Sequence, residues 1–190
     1  MLSISNPPDI GDRILAAAAS CVVDYGIDRV TLAEIARRAR LSRPTIYRRF
    51  PDTDSILAAL LTSRVVAVLH DVPQIGTDRT ALVDRIIRVA ARLRDDEIIM
   101  AVLHSAPELA MTYIAERLGS SQQILIEALA ADLKVAQAGG SVRDGDPGQL
   151  AAMVLLIVQS SIQSARIIED ILPADVLAGE LRHTLNGYLA

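Results

Sequence analysis

Thr31-Leu32-Ala33-Glu34-Ile35-Ala36-Arg37-Arg38-Ala39-Arg40-Leu41-Ser42-Arg43-Pro44-Thr45-Ile46-Tyr47-Arg48-Arg49-Phe50 carries two helix-start signals in close succession. Thr31 to Glu34 reads as a capping box, in which the Thr31 hydroxyl serves the Glu34 N–H and the Glu34 carboxylate reaches back. Leu32, Ile35, Ala36 and Ala39 follow at helical spacing, which predicts a helix over Leu32–Arg40. Ser42 caps a second helix, Arg43–Phe50, in which Pro44 falls where the first-turn N–H groups have no helical partner, and Pro51 stops it. Two short helices joined by a tight turn make a helix-turn-helix over residues 31–50. Ile46 and Phe50 then point inward with Leu32, Ile35 and Ala36, leaving Arg43, Thr45, Tyr47, Arg48 and Arg49 outside.

That outer face has the chemistry of duplex DNA recognition. Arg makes bidentate contacts to guanine, the Thr methyl touches thymine, and Tyr and Ser hydroxyls bond phosphate. Charge points the same way once it is divided along the chain. The total is −4, which taken alone argues against a nucleic-acid partner. Residues 1–50, however, hold eight Arg against five acids, and residues 51–190 hold eleven Lys and Arg against eighteen acids, so a +3 head is joined to a −7 body. Between positions 37 and 49 stand six arginines, Arg37, Arg38, Arg40, Arg43, Arg48 and Arg49, and no acid. A basic cluster by itself is also what an ordinary solvated surface carries. Its coincidence with the helix-turn-helix is what favours DNA.

The run Tyr25-Gly26-Ile27-Asp28-Arg29-Val30-Thr31-Leu32-Ala33-Glu34-Ile35-Ala36, followed by Ala39 to Pro51, resembles the amino-terminal domain of the TetR family of transcriptional regulators. The resemblance covers roughly residues 10–60. It implies phosphate contacts at Thr31, Ser42 and Tyr47, and positions near base edges for Arg43, Pro44, Thr45 and Arg48. Three departures stand out. Arg40 occupies a turn position where the family usually has Gly, which implies backbone strain or a slightly different turn. Arg49 replaces the usual Tyr or His before the Phe, keeping a phosphate donor and adding charge. Thr53 replaces a usual Lys at the start of the fourth helix. All three are counted with the DNA-binding residues.

The rest of the chain also reads as helical. Of the 190 residues 51% are hydrophobic but only 3% aromatic, with one Phe and no Trp. An apolar half built from Ala, Leu, Ile and Val favours helices over a sandwich or barrel. We expect an all-α fold of about nine helices. The first spans Ile10–Tyr25 and is stopped by Gly26; a fourth, capped by Thr53, ends before Pro73. The others lie near Asp78–Arg94, Asp95–Ser105, Pro107–Leu118 leading into Ser120–Ala138, Pro147–Ile171 and Pro173–Leu189. Residues 1–52 form the DNA-binding domain, and residues 53–190 a helical regulatory and dimerisation domain.

A head this small needs a partner copy to read two half-sites about one helical turn apart. Leu150 to Val158 is apolar on every side, and Val176, Leu177, Leu181, Leu185 and Leu189 form a stripe on the final helix. A homodimer surface through the last two helices, using Met153, Ile157, Ser161, Val176, Leu177, Leu181 and Leu185, follows from that excess. The alternative is that both helices are core of a monomer. The resemblance further implies a ligand pocket among the central helices, for which Met100, His104, Met111, Tyr113, Met153, Gln159 and Gln163 are the candidate lining residues. With so few aromatics such a pocket suits a small lipophilic effector, although Met at helical spacing is commonly core and a lone His commonly structural.

Several classes are excluded or disfavoured. The chain has no Gly-rich phosphate loop and no G-x-S-x-G, H-E-x-x-H or C-x-x-C motif, so no enzyme is expected. His104 and Glu108 are four apart, but Pro107 lies between them, and Asp95-Asp96-Glu97 suits a helix start better than a catalytic set. No cofactor and no metal site is expected. Cys21 alone excludes a disulfide framework and fits a reducing compartment. The longest apolar runs, Leu150–Val158 and, interrupted by Ser20, Ile14–Val23, fall short of the ~20 residues that cross a bilayer, and a cytoplasmic location without membrane contact is expected. The function implied is a regulator, most often a repressor in this family, that binds a pseudo-palindromic operator as a homodimer and is released by an effector. The alternative is a DNA-binding regulator with no small-molecule effector, controlled by its abundance or by a protein partner.

Overall fold

The computed structural model describes residues 9–105 and 119–190, with side chains described for 9–102 and 119–190. Among the described residues the fold is all-α. The helices are α1 (Ile10–Tyr25), α2 (Leu32–Ala39), α3 (Arg43–Tyr47), α4 (Thr53–Asp71), α5 (Arg79–Arg94), α6 (Glu97–Ser105), α7 (Ser120–Ala138), α8 (Pro147–Ser164) and α9 (Ala174–Leu189), with a 3-10 turn at Ile27–Arg29.

Local chemistry sets most of the ends. Asp9, Thr31, Ser42, Asp78 and Asp146 each accept a backbone N–H at the start of a helix. Gly26 ends α1 at φ 76°, a conformation that an L side chain adopts only under strain. Four expectations are corrected. The Glu34 carboxylate does not complete the capping box but turns to Arg37 and Arg38. Asp52, not Thr53, caps α4: its carboxylate accepts from the Ser55 N–H at 2.7 Å, and Thr53 is the first helical residue. The α3 helix closes at Tyr47 rather than Phe50, because Arg49 N–H turns back to the Ile46 carbonyl at 2.8 Å ahead of Pro51. The α8 helix stops at Ser164 rather than Ile171. There the apolar run gives way to Arg166, Glu169 and Asp170, and i,i+3 turns lead to Pro173.

The chain resolves into two compact units, residues 1–63 with 97–117 and residues 64–96 with 118–190. The break between these units falls inside α4, and the first unit also takes in α6. The reason lies in the packing. Ile56, Leu57 and Leu60 of α4 and Ile98 and Val102 of α6 are buried in one core with Ile14, Ala18, Cys21, Ile35 and Ile46. By length and hydropathy α4 is the one described helix that could cross a membrane. Its Ile56, Leu57 and Leu60 are buried in this core, and its Arg64 holds Asp96 in a two-pronged ion pair.

The second unit packs Leu82 and Val83 of α5, Leu133 of α7, Ala151 and Val154 of α8, and Leu185 and Leu189 of α9. Arg85 pins its edge, donating to the Val72 carbonyl at 2.9 Å and pairing with Asp132. Arg182 pairs with Asp84 at 3.0 Å, tying α9 to α5.

Candidate nucleic-acid interface

Ile46 positions α3. Its side chain is fully buried beside Ile35 and Ala36, and Phe50 packs half-buried against the same core. Burying an isoleucine of this size stabilises by roughly 1.5–3 kcal/mol and fixes the rotation of the helix about its axis. Ser42 locks the start: its hydroxyl accepts from the Thr45 N–H at 3.3 Å and shares a 2.8 Å bond with the Thr45 hydroxyl. Arg43, Pro44, Tyr47, Arg48 and Arg49 are left exposed, with Tyr47 at 54% of its full surface, and Thr45 is half-buried. Thr31 and Arg40 are exposed beside them, and Thr53 is half-buried.

The six arginines divide into two sets. Glu34 takes Arg37 and Arg38 at 2.5–2.8 Å. Arg38 also donates to the Ser20 hydroxyl and to Asp24, and its guanidinium lies over the Tyr25 ring at 4.7 Å. Hydrogen bonds from Arg37 and Arg38 hold the Glu34 carboxyl down at about 2, and those to Glu34 and then Asp24 raise Arg38 above its usual value. Arg49 pairs with Asp9. Among the described residues no acid reaches Arg40, Arg43 or Arg48. Among the described residues these three guanidinium groups, in or near α3, are thus without an acidic partner.

Arg40 adopts the left-handed conformation, φ 53° and ψ 46°, and is the one non-glycine residue with positive φ among the described residues. The strain anticipated at this position is therefore present. The turn tolerates it because Arg40 closes α2: its N–H bonds the Ala36 and Arg37 carbonyls, and the Leu41 N–H bonds Ala36 at 3.0 Å. Sequence reasoning missed the next layer. Arg13 of α1 donates to the Ala39 carbonyl at 2.7 Å, capping α2 from outside, and Asp9 holds Arg49. An acid and an arginine four apart at the start of α1 were visible, but their partners were not.

The residues expected to line an effector pocket belong to both units. Met100 is half-buried in the first unit. Met111, Tyr113 and the His104 side chain lie outside the described residues. In the second unit Met153 is exposed, Gln159 accepts from Gln122 Nε2 at 2.8 Å, and Gln163 Nε2 is buried with no hydrogen-bond partner among the described residues. The residues expected at a dimer surface also separate. Leu177, Leu181 and Leu185 are buried in the chain's own core. Met153 and Val176 are 43% and 44% exposed, and Ile157 and Ser161 are half-buried. Leu156, 62% exposed, belongs with that outer set.

Residues 14–60 match the model for bacterial regulatory proteins of the tetR family. The whole chain is 66% identical over 190 residues to an HTH-type transcriptional regulator of Mycobacterium bovis, covering all of both proteins. Among solved structures it is similar to the R. erythropolis transcriptional repressor QsdR of the TetR family, at a TM-score of 0.71 and 17% identity, covering 95% of this chain and 96% of that one. It is similar also to RolR in complex with the ligand resorcinol, at a TM-score of 0.70 and 17% identity, covering 95% and 87%.

Proposed function

The chain belongs to the tetR family of bacterial regulatory proteins, a family of helix-turn-helix transcriptional regulators and not of enzymes, and from that premise we propose that it represses transcription by binding a pseudo-palindromic operator as a homodimer and is released by a small lipophilic effector. The observation that carries the DNA part is the set of unanswered charges around α3. Arg40, Arg43 and Arg48 have no acidic partner among the described residues, although the chain as a whole is acidic. A folded protein with eighteen acids in its body and three free guanidinium groups on one short exposed segment is suited to phosphate and base edges. In this reading Arg43, Pro44, Thr45 and Arg48 lie toward the bases, and Thr31, Arg40, Ser42, Tyr47, Arg49 and Thr53 toward the backbone.

Two observations support the rest. Met153, Leu156 and Val176 leave an apolar surface on α8 and α9 of the kind that a second copy covers. Gln163 Nε2, buried and without a hydrogen-bond partner among the described residues, supports an effector that offers an acceptor oxygen, since an orphaned buried donor is costly. RolR holds resorcinol in a similar fold.

The test is fluorescence anisotropy on duplexes recovered from genomic fragments. Wild type is expected to bind with steep salt dependence. Arg43→Ala is expected to lose about 1–3 kcal/mol on the cognate duplex and to relax its specificity, and Tyr47→Ala to weaken binding to all duplexes. Arg43→Ala and Tyr47→Ala variants that both bind like wild type overturn the assignment of α3. Thermal shift against small lipophilic compounds tests the effector, which is refuted if no compound both stabilises the chain and displaces DNA.

A further inference from the structure

Arg49 lies two residues beyond α3, yet its charge is already answered. Its guanidinium donates to the Asp9 carboxylate at 2.5 Å across forty residues of chain. Asp9 is the N-cap of α1, and the same carboxylate accepts from the Gly11 N–H at 3.3 Å. Gly11 makes the room: a Cβ there would lie 3.0 Å from Arg49 Nη2 and 3.2 Å from Cζ and Nε. Asp9-Ile10-Gly11 therefore presents a carboxylate with a side-chain-free landing beside it, into which the guanidinium fits. Both partners stay about half exposed, at 57% and 48% of their side-chain surface. Solvent screens such a pair, and its geometry is readily exchanged.

We propose that Asp9 is an internal competitor for Arg49, a carboxylate that holds the guanidinium in the free protein until a DNA backbone phosphate takes its place. The inference rests on the DNA-binding reading above. Carboxylate and phosphate offer the guanidinium fork equivalent oxygen pairs, so one site substitutes for the other without remodelling the helix. Phosphate wins on DNA because its neutralisation also releases counterions. Asp9 stays ionised and able to compete: burial raises its pKa, but the Gly11 and Ile10 N–H groups and Arg49 outweigh this and lower it. Phosphate contacts carry no sequence information, so the competition sets how tightly any DNA is held rather than which DNA is chosen.

A double-mutant cycle on the full chain tests this, using Asp9→Asn, Arg49→Gln and the pair on an operator duplex and on a random duplex, by anisotropy over a salt series. Asn caps a helix as well as Asp, so Asp9→Asn removes the charge and keeps α1. Asp9→Ser, a second cap-preserving change, is expected to repeat its result. Asp9→Asn should tighten binding about two- to fivefold per head on both duplexes. Arg49→Gln should weaken it and lower the slope of log K against log salt by roughly 0.9 per head. In the Arg49→Gln background Asp9→Asn should have almost no effect. The inference is overturned if Asp9→Asn leaves wild-type affinity unchanged, if it tightens binding equally without Arg49, or if Arg49→Gln leaves the salt slope untouched. Failure of the wild type to bind either duplex overturns the DNA-binding reading itself, whereas a wild type that binds beside an inert Asp9→Asn overturns this inference alone.

Discussion

The Arg13 guanidinium donates to the main-chain carbonyl of Ala39 at 2.7 Å, so the last turn of α2 is closed by a side chain from α1. The carbonyl groups at a helix end have no helical partner, and a cation there also suits the helix dipole. Arg13→Met keeps the aliphatic stem and removes the donor. It is expected to destabilise the chain by about 1.5–3 kcal/mol in urea unfolding, the cost of a hydrogen bond to a charged donor. An unchanged midpoint would show that water replaces the guanidinium without penalty.

Arg40 separates stability from binding. At φ 53° its backbone conformation costs an L residue roughly 1–2 kcal/mol and costs glycine almost nothing. Arg40→Gly is expected to raise stability by about 1 kcal/mol, while DNA binding weakens and the salt slope falls by roughly 0.9 per head. A strained residue retained against a stabilising alternative is accounted for by its charge. The measurement that checks this is the pair of denaturant and salt titrations on one preparation, and a variant both more stable and equally tight would remove Arg40 from the interface.

The helices were legible where their signals are local. Gly26, Ser42, Pro44 and Pro51 act through their own φ angles and first-turn hydrogen bonds, so α1 and the start of α3 lie where those residues put them. The inward face of α3 was legible because Ile46 and Phe50 are a helical turn apart. Which arginines are free was not, since Arg38 finds Asp24 and Arg49 finds Asp9 only after distant segments meet. The same limit explains the dimer residues. A leucine stripe shows that a helix face is buried but not against what, and Leu177, Leu181 and Leu185 turn into their own core while Leu156 turns out.

Glu34 makes the head sensitive to acid. Its carboxyl titrates at about 2 in the folded chain, against an ordinary value of 4.5, chiefly because Arg37 and Arg38 hydrogen-bond its charged form. A folded value depressed in this way contributes stability that is fully present above pH 4.5 and is lost as pH falls toward 2. Glu34→Gln lacks that titration. The stability difference between wild type and Glu34→Gln is therefore expected to favour wild type at neutral pH and to shrink through this window, followed by helical circular dichroism in urea. A difference independent of pH would mean that the ion pairs with Arg37 and Arg38 do not bear on folding.

Leu156 and Leu185 test the dimer surface against the core. Leu185 is fully buried within its own unit, so Leu185→Ala should cost about 2–5 kcal/mol through the cavity it leaves. Leu156 is 62% exposed on α8, and a charge there meets water in the monomer but a partner in the dimer. Leu156→Glu is therefore expected to leave helical content intact and shift sedimentation to the monomer. Operator affinity should fall with it, because a lone head reads one half-site. Retention of the dimer by Leu156→Glu would move the intersubunit surface away from this face of α8.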